Sequence, residues 1–263
     1  DTLLSIYNVA IHLQGQGKYE EAFDHFAEAL EGRRRVLGEE HPDTLTSINA
    51  MGLVLKLQGK YDEAIVFCTE ALKGRRRVLG DEHPQTLSAL ARMAELLQSQ
   101  GKYNEATPYL NKALEDSRRV LGNEHPHTLV AINSMGELLQ SQGKYKEATP
   151  YFTEALEGSR LVMGQEHPWT FDAICTMGEL RQFQGRYEEA FDHYTEAIEG
   201  LRRVLGDEHP LTLNSIKNMG VLLYTQDKYE EALPYLTEAL DGRRRVLGDE
   251  HEYTLDAFRK LAK

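Results

Sequence analysis

GRRRVLGDEHP, residues 74–84, places three arginines beside an Asp-Glu-His run. Taken alone, the stretch looks like a phosphate patch next to a metal or acid/base site. Its recurrence changes that reading. Variants stand at 32–42, 116–126, 158–168, 200–210 and 242–252, a period of 42 residues without insertion. Self-similarity at a fixed period of 20–50 residues marks a stacked repeat architecture. The chain divides into six full repeats, 1–42, 43–84, 85–126, 127–168, 169–210 and 211–252, and a seventh start, 253–263.

Each repeat reads as two helices. In the second repeat, Leu45, Ile48, Met51, Gly52 and Leu55 fall at i, i+3, i+4, i+7 spacing, one face of a helix. Gln58-Gly59-Lys60-Tyr61 breaks the pattern, with glycine suited to a left-handed C-cap. A second helix follows through Ala64, Cys68, Ala71, Leu72, Val78 and Leu79, and Gly80 stops it. Pro84 is placed to open the next helix, because proline is tolerated in a first turn. Gly52, Ala64 and Ala71 are small where the two helices must approach. Gly74 weakens its helix by ~1 kcal/mol, a cost that close contact with the first helix would explain. Pro108, Pro150 and Pro234 sit one turn into their second helices and are expected to shift the helix start or to kink it mildly. One such pair cannot bury its apolar face alone, whereas six stacked pairs share a continuous core. Leu255, Phe258 and Leu261 give 253–263 helical spacing, as a terminal helix over the sixth repeat or the start of a longer array.

Composition narrows the function. The chain has 263 residues, 41% of them hydrophobic, and a formal net charge of −12. That balance opposes binding to nucleic acid or an anionic membrane, since both need surplus Lys and Arg. No apolar run reaches a membrane-spanning length and no signal peptide is seen. Two cysteines, Cys68 and Cys175, are too few for a disulfide framework and fit a reducing, cytoplasmic setting. The sequence begins at Asp1, as a fragment or processed chain would.

Met51-Gly52, Gly59-Lys60-Tyr61 and Ala64-x3-Cys68-x2-Ala71 resemble the tetratricopeptide repeat signature. That family's usual period is about 34 residues. The longer period and the wording QGKY-x-EA … AL … LG-x-EHP-x-TL are similar to the kinesin light chain type, and the likeness covers the whole chain. Similar arrays occur as sensor or scaffold regions of bacterial and fungal nucleotide-binding signalling proteins. The resemblance implies one all-α domain over 1–263, a right-handed superhelical solenoid of antiparallel helix pairs. It also implies a concave groove lined by the first helices, peptide or protein binding, and no catalysis. It does not name the partner, because one fold hosts many functions.

Position on the first helices picks out the groove residues. Asn8, Asn49, Asn133 and Asn218 occupy adjacent positions, and an amide that both donates and accepts can hold a peptide backbone. Glu95, Glu137 and Glu179 share one position in three successive repeats, as an acidic strip. Lys56, Arg92 and Lys217 add the opposite sign, and Leu53 supplies apolar contact. Cys175 is placed facing the same groove. The mixed charge is less basic than a groove that selects acidic peptides would need.

Other chemistry reads weakly. His41, His83, His125, His167, His209 and His251 each follow a glutamate. Equivalent histidines on successive repeats lie roughly 8–10 Å apart per helix layer, but metal ligands converge to about 2 Å from one ion. A capping or inter-repeat role fits them better. Gly15-x-Gly17-Lys18 lacks phosphate-loop spacing. No nucleophile elbow, HExxH or CxxC is present, and no cofactor is expected. Consecutive arginines fan out around a helix by about 100° per residue. Glu31, Glu115, Glu199 and Asp241 stand four residues before Arg35, Arg119, Arg203 and Arg245, as intrahelical pairs. Arg34, Arg76, Arg118, Arg160, Arg202 and Arg244 align across repeats, which leaves nucleic-acid binding as a third reading, weakened by the surrounding acids. The first is a peptide- or protein-binding scaffold. The second is a structural module, monomeric or self-associating end to end through its terminal helices.

Overall fold

The computed structural model describes residues 2–248, 251, 254 and 255, and all regular structure among them is helical. The chain forms two compact units, Asp1–Asn123 and Glu124–Lys263. The first contains α1 (Thr2–Gly15), α2 (Tyr19–Leu37), α3 (Pro42–Leu57), α4 (Tyr61–Leu79), α5 (Pro84–Ser99) and α6 (Tyr103–Leu121). The second contains α7 (Pro126–Ser141), α8 (Tyr145–Met163), α9 (Pro168–Phe183), α10 (Tyr187–Leu205), α11 (Pro210–Thr225) and α12 (Tyr229–Leu247). Within each unit every helix packs on its sequence neighbours. The expected terminal helix at 253–263 lies outside the described residues, apart from the helical Thr254 and Leu255.

The joint between repeats explains the EHPxTL wording. Gly80 ends α4 at φ +88°, a conformation that a β-carbon resists. Its N–H donates to the Arg76 carbonyl at 3.0 Å. His83 is the N-cap of α5, and its Nδ1 accepts from the Gln85 N–H at 3.2 Å. His41, His125, His167 and His209 cap α3, α7, α9 and α11 in the same way. Proline follows at the first helical position, where no amide donor is needed. Thr86, fully buried, then closes the loop by donating Oγ1 to the Gly80 carbonyl at 2.8 Å. Thr170 and Thr212 repeat that bond to Gly164 and Gly206.

Packing inside each repeat depends on missing side-chain volume. Ala22, Ala64, Ala106, Ala148, Ala190 and Ala232 are buried at one shared position of the second helices. A β-carbon added at Gly74 would stand 2.3 Å from Leu45 Cδ2 in the first turn of α3. Gly32 meets Leu3 at the same distance and Gly158 meets Leu129. At Gly200 the neighbour is the Phe171 ring, 2.1 Å away. The close contact expected at Gly74 is therefore present. The third repeat departs: Asp116 fills the glycine position, 1% exposed, and ion-pairs with Lys112 and Arg119.

Two expectations need correction. Val78, part of the apolar series of its second helix, is 41% exposed. The internal prolines leave the helix start unmoved. α6, α8 and α12 begin at the same tyrosine as the proline-free α4 and run the same 19 residues. Each proline lies beyond the first turn, inside the helix.

Replacing Gly200 with alanine should destabilise the chain by about 1–3 kcal/mol through overpacking, even though alanine favours helix by ~1 kcal/mol. Gly15→Ala, at a position with nothing within 4 Å, should be neutral or stabilising. Urea unfolding of both variants tests the contrast.

Candidate functional site

Adjacent first helices within a unit share polar contacts along one face. In the N-terminal unit, Lys56 of α3 pairs with Glu95 of α5 at 2.5 Å. Asn49, Leu53, Lys56, Arg92 and Glu95 line one shallow recess of about 20 Å³, floored by Gly52 and Cys68. Five of the residues read from sequence thus converge. Asn8 stands exposed on α1, outside that recess.

In the C-terminal unit, Asn133 donates to Glu137 along α7 at 2.8 Å. Asn218 of α11 donates Nδ2 to Glu179 of α9 at 2.5 Å. Asn218 is only 6% exposed, so this amide bonds between helices and is not presented to a ligand. The acidic strip is engaged as well, since Glu95, Glu137 and Glu179 each hold an intramolecular partner. Burial raises the Glu179 carboxyl above its ordinary value, against the opposing effects of Lys217 and Asn218. Cys175 does not face open space. It is 4% exposed, Ser215 and Asn218 donate to its Sγ, and burial pushes the thiol up to about 12. Burial also raises Cys68. Neither thiol has the depressed pKa of a nucleophile.

The arginines sort into three classes by position. The last arginine of the row reaches back one repeat in four repeats, and Arg119 also pairs with Asp116 along its own helix. Arg77 pairs with Glu40, Arg119 with Glu82, Arg203 with Glu166 and Arg245 with Glu208. These pairs replace the expected i, i+4 contacts, because the loop glutamate of the preceding repeat stacks beside the helix end. The middle arginines also meet acids. Arg34 contacts Glu39 at 2.8 Å and Glu70 at 2.5 Å, Arg76 contacts Asp81, Arg160 contacts Glu196, and Arg202 contacts Asp207 and Glu238. Charge along that row is locally compensated.

The first arginine of each triplet is buried: Arg33 is 5%, Arg75 7% and Arg243 5% exposed. Arg33 donates Nη1 to the Asp43 carbonyl at 3.0 Å and to Ser47 Oγ at 2.7 Å, and lies 4.5 Å from the Tyr7 ring centroid. Arg75 donates to the Gln85 carbonyl at 3.3 Å. The sequence reading missed them, although a signal was present. The same column holds Ser117, Ser159 and Leu201 in the other repeats, an interior pattern.

Among the described residues no group of three or more His, Cys, Asp or Glu is placed to hold a metal. No described helix is long and apolar enough to cross a membrane.

Because the Glu179 carboxyl is raised in the folded state, its ionisation opposes folding at neutral pH and ceases to matter below the ordinary carboxylate range. Glu179→Gln should raise the unfolding midpoint at pH 7, with the gain shrinking towards pH 4. Both cysteines should resist alkylation at pH 8 until the chain unfolds, as thiol labelling followed by mass spectrometry would record.

A profile described as tetratricopeptide repeat matches residues 2–67, 46–116, 87–161, 169–245 and 214–263. No curated protein sequence matches the chain significantly. Among solved structures, it is similar to the nearly identical TPR-like repeats of the kinesin light chain type from Podosopora anserina (21% identity, 78% of this chain and 98% of that one, TM-score 0.61). It is also similar to BtubC from P. vanneervenii (19%, 88% and 92%, TM-score 0.67) and to NprR in complex with its cognate peptide NprX (14%, 99% and 73%, TM-score 0.69). Two-helix repeats, small residues at the helix crossing and a profile match along nearly the whole chain lead to one conclusion: the chain belongs to the tetratricopeptide repeat family.

Proposed function

We propose that the chain is a non-enzymatic interaction scaffold that binds a peptide or an extended segment of a partner protein across its first helices. The observation that carries this reading is the shared recess of Asn49, Leu53, Lys56, Arg92 and Glu95 on α3 and α5. Ligand pockets for small molecules run to roughly 300–1,000 Å³. A recess of about 20 Å³ instead suits single side chains of a ligand that lies over the surface. The residues around it combine an amide, an aliphatic side chain and both charge signs, as side-chain-by-side-chain recognition needs. The packing columns repeat closely from one repeat to the next, while this face changes. NprR, similar in fold, is known with a bound peptide. A Rap protein of similar fold is known with competence and sporulation factor.

Of the proposed contacts, Asn49, Leu53, Lys56, Arg92 and Glu95 act together. Asn8 would extend the contact along α1 of the N-terminal unit; in the C-terminal unit Asn133, Glu137 and Lys217 would contribute contacts of their own, over a floor set by Glu179 and Asn218. Peptides selected by display on the full chain supply the ligand for a test. Asn49→Ala combined with Asn133→Ala should weaken the selected peptide by about tenfold, roughly 1.4 kcal/mol, in fluorescence anisotropy. Unchanged affinity in a variant with unchanged thermal unfolding would sink the asparagine role.

A further inference from the structure

The sixth repeat frames a different kind of space from the shallow recess on α3 and α5. The first turn of α11 and the C-terminal end of α12 line an open cavity of about 300 Å³. That volume reaches the range of small-molecule pockets, roughly 300–1,000 Å³. Pro210, Leu211, Leu213, Val246 and Leu247 make most of its described lining apolar. Leu213 packs into the space left by Gly242, where an added β-carbon would stand 2.4 Å from its Cδ2. Two polar side chains interrupt the apolar lining, Asn214 and Arg243. Arg243 is 5% exposed, and its Nη2 donates to Asn214 Oδ1 at 3.5 Å, longer than the ordinary range of such bonds. The combination is particular to this repeat. Arg33 and Arg75, the equivalent arginines, share their repeats with Asp1 and Asp43, where the sixth has Leu211.

We propose that this cavity binds a small monocarboxylic acid with a compact apolar body, its carboxylate held by Arg243 and Asn214. A buried guanidinium bordering apolar space is costly to desolvate unless an anion compensates it. A carboxylate on an apolar body answers both parts of the lining. Its two oxygens match the planar guanidinium fork, and the Asn214 amide adds N–H donors for the same oxygens. A phosphomonoester carries about −1.5 to −2 charge at neutral pH, more than the one cation of the described lining offsets. An ammonium would meet Arg243 as a like charge. The cavity belongs to the C-terminal unit and the recess of Asn49 and Arg92 to the N-terminal unit, so the proposal does not depend on the peptide-binding reading.

Calorimetric titration of the full chain tests this with octanoate and 4-phenylbutyrate, one linear and one aromatic acid. At least one should bind saturably at a single site, with the matching alcohol and the matching amine each at least tenfold weaker. Two variants copy residues that other repeats carry at the same places, so both should keep the fold. Arg243→Ser follows Ser117 and Ser159, and Leu211→Asp follows Asp43. Each should weaken the bound acid at least fivefold, the first by removing the cation and the second by adding a like charge to the lining. Arg244→Gln, on the neighbouring exposed column, should leave binding unchanged. Equal binding of the alcohol would reduce the site to apolar contact and overturn the proposal, as would equal binding of the amine. An acid that binds both variants as it binds the parent chain, or no saturable binding of either acid, would overturn it too.

Discussion

In five of the six repeats the second helix comes close enough to the first that a leucine or phenylalanine of the first turn occupies the volume of a missing β-carbon. Leu45 against Gly74 and Phe171 against Gly200 are the same contact in two repeats. Glycine in mid-helix costs about 1 kcal/mol, and the buried Leu or Phe offsets it by roughly 1.5–3 kcal/mol. The approach aims the helix end at the next joint, where Gly80, His83 and Thr86 turn the chain through a loop whose polar groups are bonded. The 42-residue spacing follows, because the helix must extend past the glycine contact before the loop can reach the next first helix.

Most of this architecture is legible in the sequence. The period gives the repeat, the glycines give the helix ends, and the histidines follow from their place before proline. What escapes is which side of the extended second helix faces inward. Val78 reads as core, yet it is solvent-exposed, while Arg75 three residues earlier is buried. Hydropathy ranks those two residues in the wrong order because the arginine finds a carbonyl acceptor on the following helix. The column comparison, arginine beside serine and leucine, carries the correct answer.

The candidate face was legible as a set of positions and less so as a set of available groups. Sequence places Asn218 with Asn49, but packing gives them different fates. Asn218 lies between Glu179 and Cys175, where a buried amide must be bonded. Asn49 lines an open recess. Cys175 follows the same logic: a thiol on a groove-facing position is enclosed once α11 packs on α9. Helical periodicity assigns a face, but the neighbouring helix decides which part of that face reaches solvent.

The buried arginine column joins packing to binding. Arg33 clamps the first turn of α3 through Asp43 and Ser47, and Arg75 does the same for α5 through Gln85. Serine at 117 and 159 and leucine at 201 occupy the equivalent place while the helices keep their lengths and caps. A cation is therefore not required for the joint to form. Where one is present, it adds positive charge beneath the first-helix face at the desolvation cost that serine or leucine would avoid. The repeats thus separate two properties usually tangled in a binding site: the glycine contact and the caps fix the geometry, and one tolerant interior column sets the charge beneath the face.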